Sequence, residues 1–415
     1  MTTGYYVLLF LGGVLPLAIM AYLLGQRRAL AQEAEGSKLH SQPNFYGWYA
    51  FVWMILPPIV LSVLCSLLHV FHLLTVPAPM LVVACLAVAA GGLIAGLRTI
   101  QPGLRARNRV EDVIRWLLFT AAVISIMTTI GIVLSILFEA IRFYKMVGVW
   151  EFITGTQWAP DAAFLAGAGR TGEEGAQAAF GSVPIFAGTF MITFIAMCVA
   201  VPVGLFSAIY MSEYASPKVR GMAKPVLEIL AGIPTVVYGF FAAITVSPLV
   251  VRAAEAAGLE ADYTNALSPG LVMGVMIIPF ISSLSDDVIN SLPHSMREGS
   301  YALGTTQSET IKKVLLPAAM PGIVSAFLLG VSRALGETMI VVMAAGLRPN
   351  LTWNPLEGMT TVTVRIVDAL TGDLAFDSAE TLSAFGLGLA LLLVTLTLNL
   401  ISTIVIRRFK QQYEL

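Results

Sequence analysis

Two ionisable residues stand inside a strongly apolar stretch of this chain, Arg333 and Glu337 in the run SRALGETM. A charge within a membrane span costs at least ~2.5–3.5 kcal/mol, so such residues face a bundle interior or an aqueous path. One helical turn separates the pair, which puts both on one face. Arginine suits an oxyanion, because its planar fork offers paired donors and keeps its charge. Glu337 is expected to hold that fork when no anion is present, and Thr338 to add a hydroxyl. The small Ser332, Ala334 and Gly336 let a neighbouring helix come close. Ser332, Arg333, Glu337 and Thr338 are therefore the candidate substrate path. A purely structural salt bridge would leave the same pattern.

Other constellations carry less. Glu228 follows Lys224 by four residues, which predicts a local ion pair. Asp286-Asp287 with Asn290 resembles the magnesium-binding aspartate clusters of membrane prenyltransferases. The sequence has no second aspartate-rich motif, so a membrane-embedded enzyme of that type is only a distant alternative. Gly167 to Gly172 matches G-x-G-x-x-G with no strand before it. G-x-x-x-x-G-K-[ST], H-E-x-x-H and G-x-S-x-G do not occur. Without a P-loop the chain must draw on another subunit for any ATP-driven work. Cys65, Cys85 and Cys198 lie in apolar runs at spacings that fit no metal or redox motif, and read as small buried hydrophobes.

These residues need a membrane to sit in. Of the 415 residues 57% are hydrophobic and 12% charged, with a mean hydropathy of +0.83. Soluble domains carry roughly 25% charged residues, so this is a polytopic membrane protein with the lipid bilayer as its first partner. A net charge of −1 gives no field for nucleic acid. A span needs about 20 apolar residues. Nine candidates lie near 4–24, 47–72, 77–97, 114–138, 185–211, 225–250, 269–289, 318–346 and 382–406. The first is too long for a cleavable signal and has no basic region before it. The segments 25–46, 98–115, 212–224, 290–317 and 407–415 hold seventeen of the 24 Lys and Arg; the alternate segments hold six, and Arg333 lies within a span. That bias places the N-terminus outside and the C-terminus inside.

The expected fold is thus an all-α integral membrane protein with about nine transmembrane helices. Residues 1–100 form a three-span extension, 101–112 a basic linker, and 113–415 a six-span domain. Two outer loops are long enough to receive a soluble partner. The first, 139–184, places Trp150 and Trp158 at the membrane interface and then turns Gly/Ala-rich. The second, 347–381, has the spacing of a short amphipathic helix over 360–370.

The longest polar, helix-forming stretch between two apolar spans runs from Glu298 to Gly322. It breaks at Gly304. Thr306 and Glu309 then form a capping box. Ile311, Val314 and Leu315 share a face, Lys312 and Lys313 look toward polar surroundings, and Pro317 marks re-entry into the next span. This is an ordered helix-turn-helix suited to docking a soluble partner.

The spacing resembles the EAA loop of ABC-importer permeases. That loop has an acidic residue, two small residues, a glycine four positions on, and then I-x-L-P. Here Glu298, Gly299, Ser300, Gly304, Val314, Leu316 and Pro317 fill it, with Gly-Ser for Ala-Ala and Val for Ile. Further segments are similar to the phosphate-specific members: Phe152 to Thr156 with Trp158 and Pro160, Gly181 to Pro184, Glu228 to Gly239, and Arg333 to Thr338. The three extra N-terminal spans resemble the extension of many C-type subunits. The resemblance implies inorganic phosphate as cargo, with sulfate, molybdate or a phosphonate as the alternatives. It also implies a second, A-type permease, two ATPase subunits, a periplasmic phosphate-binding protein and a bacterial inner-membrane location. No cofactor is implied on this chain; ATP and magnesium belong to the ATPase partner. Glu298 and Gly304 match the coupling loop, and Arg333 and Glu337 match charged positions linked to translocation.

Overall fold

The computed structural model describes residues 3–34, 36, 38–72, 76–160, 178–372 and 378–413. Gly167 to Gly172 and the rest of the Gly/Ala-rich loop lie outside them. The chain divides by packing into two units, Met1–Ile130 and Gly131–Leu415.

The first unit contains α1 (Thr3–Ala34), α2 (Pro43–Val70), α3 (Ala78–Thr99) and the first half of α4 (Ala106–Val147). Its core is built largely from small residues, with Ala18, Ala21 and Ala89 buried against Val14, Met54 and Leu93. Small side chains let helix backbones approach where lipid supplies no hydrophobic drive. Polar bonds close one end of this unit. The Tyr46 hydroxyl donates to the Leu104 carbonyl at 3.0 Å, and Gln26 Nε2 to Asn44 Oδ1 at 2.8 Å. Helix α4 starts inside the stretch read as a linker.

The second unit begins with the remainder of α4, then α5 (Val149–Thr154), and a two-residue antiparallel pair, β1 (Trp158–Ala159) with β2 (Ala179–Phe180). Next come α6 (Val183–Tyr214), α7 (Pro217–Gly232), α8 (Thr235–Ala256) and α9 (Leu267–Ser291). The series ends with α10 (His294–Ala302), α11 (Gln307–Leu335), α12 (Met339–Ala344), α13 (Val362–Gly372) and α14 (Ala379–Tyr413). Eight helices among the described residues are long and apolar enough to cross a membrane, and they match the second to ninth expected spans. The first expected span lies within α1.

Helix α9 is the axis of this unit, with Met273, Met276, Ile277 and Ile281 all buried. It runs beside α6 in the same direction: Gly270 abuts Ile192 and Ile195, Gly274 abuts Ala196 and Val199, and Gly204 abuts Ile278 and Ile281. Helix α11 runs the opposite way, with Gly322 on Val288 and Gly330 on Ile281. Alternate spans of an up-down bundle must relate in this way.

Several expectations need correction. The 225–250 span is two elements, because the turn at Ile233-Pro234 ends α7 before α8 begins. Proline cannot continue the ladder, and it biases the preceding residue to extended backbone. The 318–346 span likewise stops at Leu335. Trp158 is 5% exposed and packs edge-on against Phe180 within the protein, whereas Trp150 is exposed. Cys85 is buried as expected, but Cys198 is exposed. The amphipathic helix read over 360–370 is present as α13. No residue of 111–138 is buried within the chain.

A Cβ added at Gly274 would lie 2.8 Å from the Ala196 carbonyl oxygen. Gly274→Val should therefore cost about 1–3 kcal/mol by overpacking. It should lower the apparent melting temperature in detergent, while Gly221→Ala, whose Cβ meets nothing within 4 Å, leaves it unchanged.

Candidate functional site

Arg333 sits in the last turn of α11, level with the middle of α9. Its guanidinium carbon lies 5.8 Å from the centroid of the Phe280 ring. A cation over an aromatic face is held without using its N–H donors. Among the described residues no carboxylate lies within 4 Å of it and no hydrogen-bond acceptor engages it. Arg333 lines a cavity of about 260 Å³ together with Lys224, Glu228, Phe280 and Asp286. The cavity thus carries a free cation at one wall and a paired one at another.

Paired charges line the same cavity. Asp286 is 1% exposed and accepts from Arg220 Nη2 at 2.9 Å and Asn290 Nδ2 at 2.8 Å. Lys224 Nζ lies 3.7 Å from Asp286 and 3.4 Å from Asp287. A buried carboxylate is tolerable only when partnered this way. These bonds tie α7 to α9. They also correct the local reading of Lys224, whose partners are the two aspartates and not Glu228. With its oxygens facing cations, Asp286 is not arranged as a magnesium ligand of the prenyltransferase kind.

The Arg333–Glu337 pairing does not form. Gly336 ends α11, and the Glu337 carboxylate turns to the next helix, accepting from the Met339 amide at 3.1 Å and the Ile340 amide at 3.5 Å. A carboxylate satisfies the orphan amides of a helix start and complements its dipole. The Thr338 hydroxyl donates to the Gly336 carbonyl at 3.4 Å. The Thr363 hydroxyl of α13 donates to the Glu337 carbonyl at 2.9 Å, tying α13 to this break. Ser332, Glu337 and Thr338 are half-buried beside the break and do not line the cavity.

The polar helical stretch is a helical hairpin mounted on the bundle. Gly304 has φ +80°, a left-handed conformation that glycine adopts without cost, and it turns the chain after α10. The capping box is complete: Glu309 N donates to Thr306 Oγ1, and Thr306 N to Glu309 Oε2. Three hydroxyls lock the turn, with Ser300 Oγ 2.7 Å from Thr305 Oγ1 and 3.0 Å from Thr310 Oγ1. Ile311 and Leu315 are buried and Val314 is half-buried, as their spacing required; Lys312 and Lys313 are exposed. Contrary to expectation, Pro317 marks no boundary, because α11 continues from Gln307 through it. One wide, π-helical turn over Ile311–Leu315 precedes the proline, just where its ring would crowd the preceding turn. Leu316 and Pro317 are half-buried in that continuous helix.

The hairpin's anchor was missed in the sequence. Arg297 donates from Nη2 to Glu213 Oε1 at 2.8 Å and to the Ile289 carbonyl at 2.9 Å, and from Nη1 to the Leu292 carbonyl at 3.2 Å. Gln307 Nε2 donates to the Glu213 carbonyl at 2.6 Å. Residues at the ends of α6 and α9 thereby fix both limbs of the hairpin. Its outer side presents exposed Glu298 and Gly299, with Leu303 86% exposed. An aspartate inside an apolar run was the available signal for Asp286; nothing local announces Glu213 and Arg297.

A family model described as the inner membrane component of binding-protein-dependent transport systems matches residues 200–414. One described as phosphate ATP-binding cassette transporter matches residues 11–76. The chain is 32% identical to the probable ABC transporter permease protein YqgH of Bacillus subtilis, over 70% of this chain and 89% of that protein. It is 32% identical to the phosphate transport system permease protein PstC 1 of Mycobacterium tuberculosis, over 72% of this chain and 94% of the relative. With PstC of Haemophilus influenzae it shares 28% identity over 68% of this chain and 91% of the relative.

The anchor yields a stability test. Glu213 is 6% exposed and Arg297 13%, so Glu213→Gln strands a buried cation and should cost about 3 kcal/mol, read as a lower unfolding midpoint in detergent. Glu213→Gln combined with Arg297→Met should recover part of that loss.

Proposed function

The chain belongs to the family of inner membrane components of binding-protein-dependent transport systems, and from that premise we propose that it is the permease subunit of an ATP-driven importer of inorganic phosphate. The observation that carries the reading is Arg333: a cation at mid-span depth, steadied by Phe280, with its donors free toward a cavity. The names of the relatives and the phosphate model over residues 11–76 support phosphate over sulfate, molybdate or a phosphonate.

In this reading the N-terminus is outside and the hairpin is cytoplasmic. A loaded phosphate-binding protein docks on the outer face, where α13 meets the break after Arg333. Phosphate enters beside a second, A-type permease and meets the Arg333 fork. Ser332 precedes Arg333 in the chain and Thr338 follows just past the helix end at Gly336, and their hydroxyls add polar groups beside that path, while Glu337 stays committed to its cap. A single arginine binds the anion without trapping it, as transport requires. Of two ATPase subunits, which hold ATP and magnesium, one receives the hairpin at Glu298, Gly299 and the exposed Leu303. Ser300 and Gly304 keep its shape, and Leu316 and Pro317 carry the movement into α11. No cofactor is needed on this chain itself.

The test is labelled phosphate uptake at limiting phosphate, in cells with and without the gene, with labelled sulfate run alongside. Deletion should abolish phosphate uptake alone. Arg333→Gln at normal protein level should reduce uptake by about tenfold or more, the loss of a charge-assisted contact. Unchanged uptake would remove Arg333 from the path. Loss of sulfate uptake instead would keep the transporter class and discard phosphate.

A further inference from the structure

Within the first unit, α2, α3 and the start of α4 enclose a cleft of about 540 Å³ that no transport step uses. Ligand pockets are typically ~300–1,000 Å³. The cleft is graded from end to end. Arg109, Tyr49 and Thr99 line one end, termed the mouth, where α3 ends and α4 begins. Trp53, Leu56 and Val113 carry the walls away from that mouth, along the apolar lengths of α2 and α4. On α2 the spacing Tyr49, Trp53, Leu56 keeps one face, and on α4 Val113 lies one turn beyond Arg109.

The charge at the mouth is uncommitted. Glu111 takes Arg107 at 2.6 Å, and Asp112 lies 3.8 Å from Arg115. Among the described residues no carboxylate lies within 4 Å of Arg109. The Tyr49 hydroxyl lies 3.2 Å from Thr99 Oγ1 at the same mouth. Arg98 and Arg105 add positive charge to this end of the unit. Basic clefts at the membrane boundary take anionic headgroups, and an apolar groove leading inward takes what is attached to them.

We infer that this cleft is a binding site for one anionic phospholipid, its phosphodiester on Arg109 and an acyl chain between Trp53, Leu56 and Val113. The site shares no lining residue with the cavity at Arg333 and does not depend on the identity of the transported ion. The lipid would fill the space between α2 and α4 that protein side chains leave open.

The full-length chain, delipidated in detergent, is titrated separately with phosphatidylglycerol, phosphatidylcholine and inorganic phosphate, and adducts are read by native mass spectrometry. One phosphatidylglycerol adduct should form in preference to phosphatidylcholine. Arg109→Gln should weaken it by about tenfold, the loss of one charge-assisted hydrogen bond. Arg115→Gln, on the same helix outside the cleft, should leave it intact. Equal binding of the two lipids, equal binding by Arg109→Gln, or saturation by inorganic phosphate alone would overturn the site. Should Arg109→Gln fail to accumulate, Val113→Phe tests the groove with the charge in place. Loss of the adduct then supports the site, and its retention overturns it.

Discussion

The contact on which the second unit turns is the buried ion pair between Arg297 and Glu213. Ion pairs at a surface contribute little, but this one is largely buried and is backed by two carbonyls, so that four of the five guanidinium N–H donors are engaged. It closes the ends of α6 and α9 onto the hairpin at one point. Because α6 and α9 lie glycine to backbone, the pair and the interface enforce each other. Loosening either would let the hairpin move independently of the bundle.

The cavity at Arg333 depends on the same axis from the other side. Helix α9 supplies Phe280 to steady the arginine and Asp286 to hold Lys224 and Arg220. One helix thus positions a free charge and a neutralised one. The contrast is electrostatic in origin: Asp286 is bonded to cations, whereas among the described residues Arg333 has the Phe280 ring against it and no carboxylate within 4 Å. The uncompensated charge is concentrated where the bundle leaves space.

Much of this was legible wherever the determinants are local. The Thr306–Glu309 box, the Gly304 turn, the face formed by Ile311, Val314 and Leu315, and eight of the apolar spans depend on neighbours within a few residues, and each reappears in the structure. The break at Gly232-Ile233-Pro234 carried its own signal, but the apolar run around it outweighed that signal. The misread pairs are of another kind. Lys224 had Glu228 one turn away and instead bonds to aspartates some sixty residues distant in the chain. Arg333 and Glu337 had the correct spacing, yet a helix end intervened, and the carboxylate served amides nearer to hand. Spacing states which groups can meet; competition among partners across the fold decides which do. The EAA-like spacing and the Arg333 to Thr338 segment pointed to a family that the matches over 200–414 then carried.

Helix α11 has one further property. It is continuous from Gln307, beside the hairpin's Thr306 cap, to Leu335, just past Arg333. At 1.5 Å per residue that is a rod of about 40 Å. A rod of that length is a lever with its short end among the hydroxyls of Ser300, Thr305 and Thr310. Tilting it by about 5° displaces the far end by about 3.5 Å, roughly the width of a hydrogen-bonded contact. Under the proposed function, a tilt of that size at the hairpin would be enough to carry Arg333 out of reach of an ion. The helix would then convert force applied at one end into a change of geometry at the cavity.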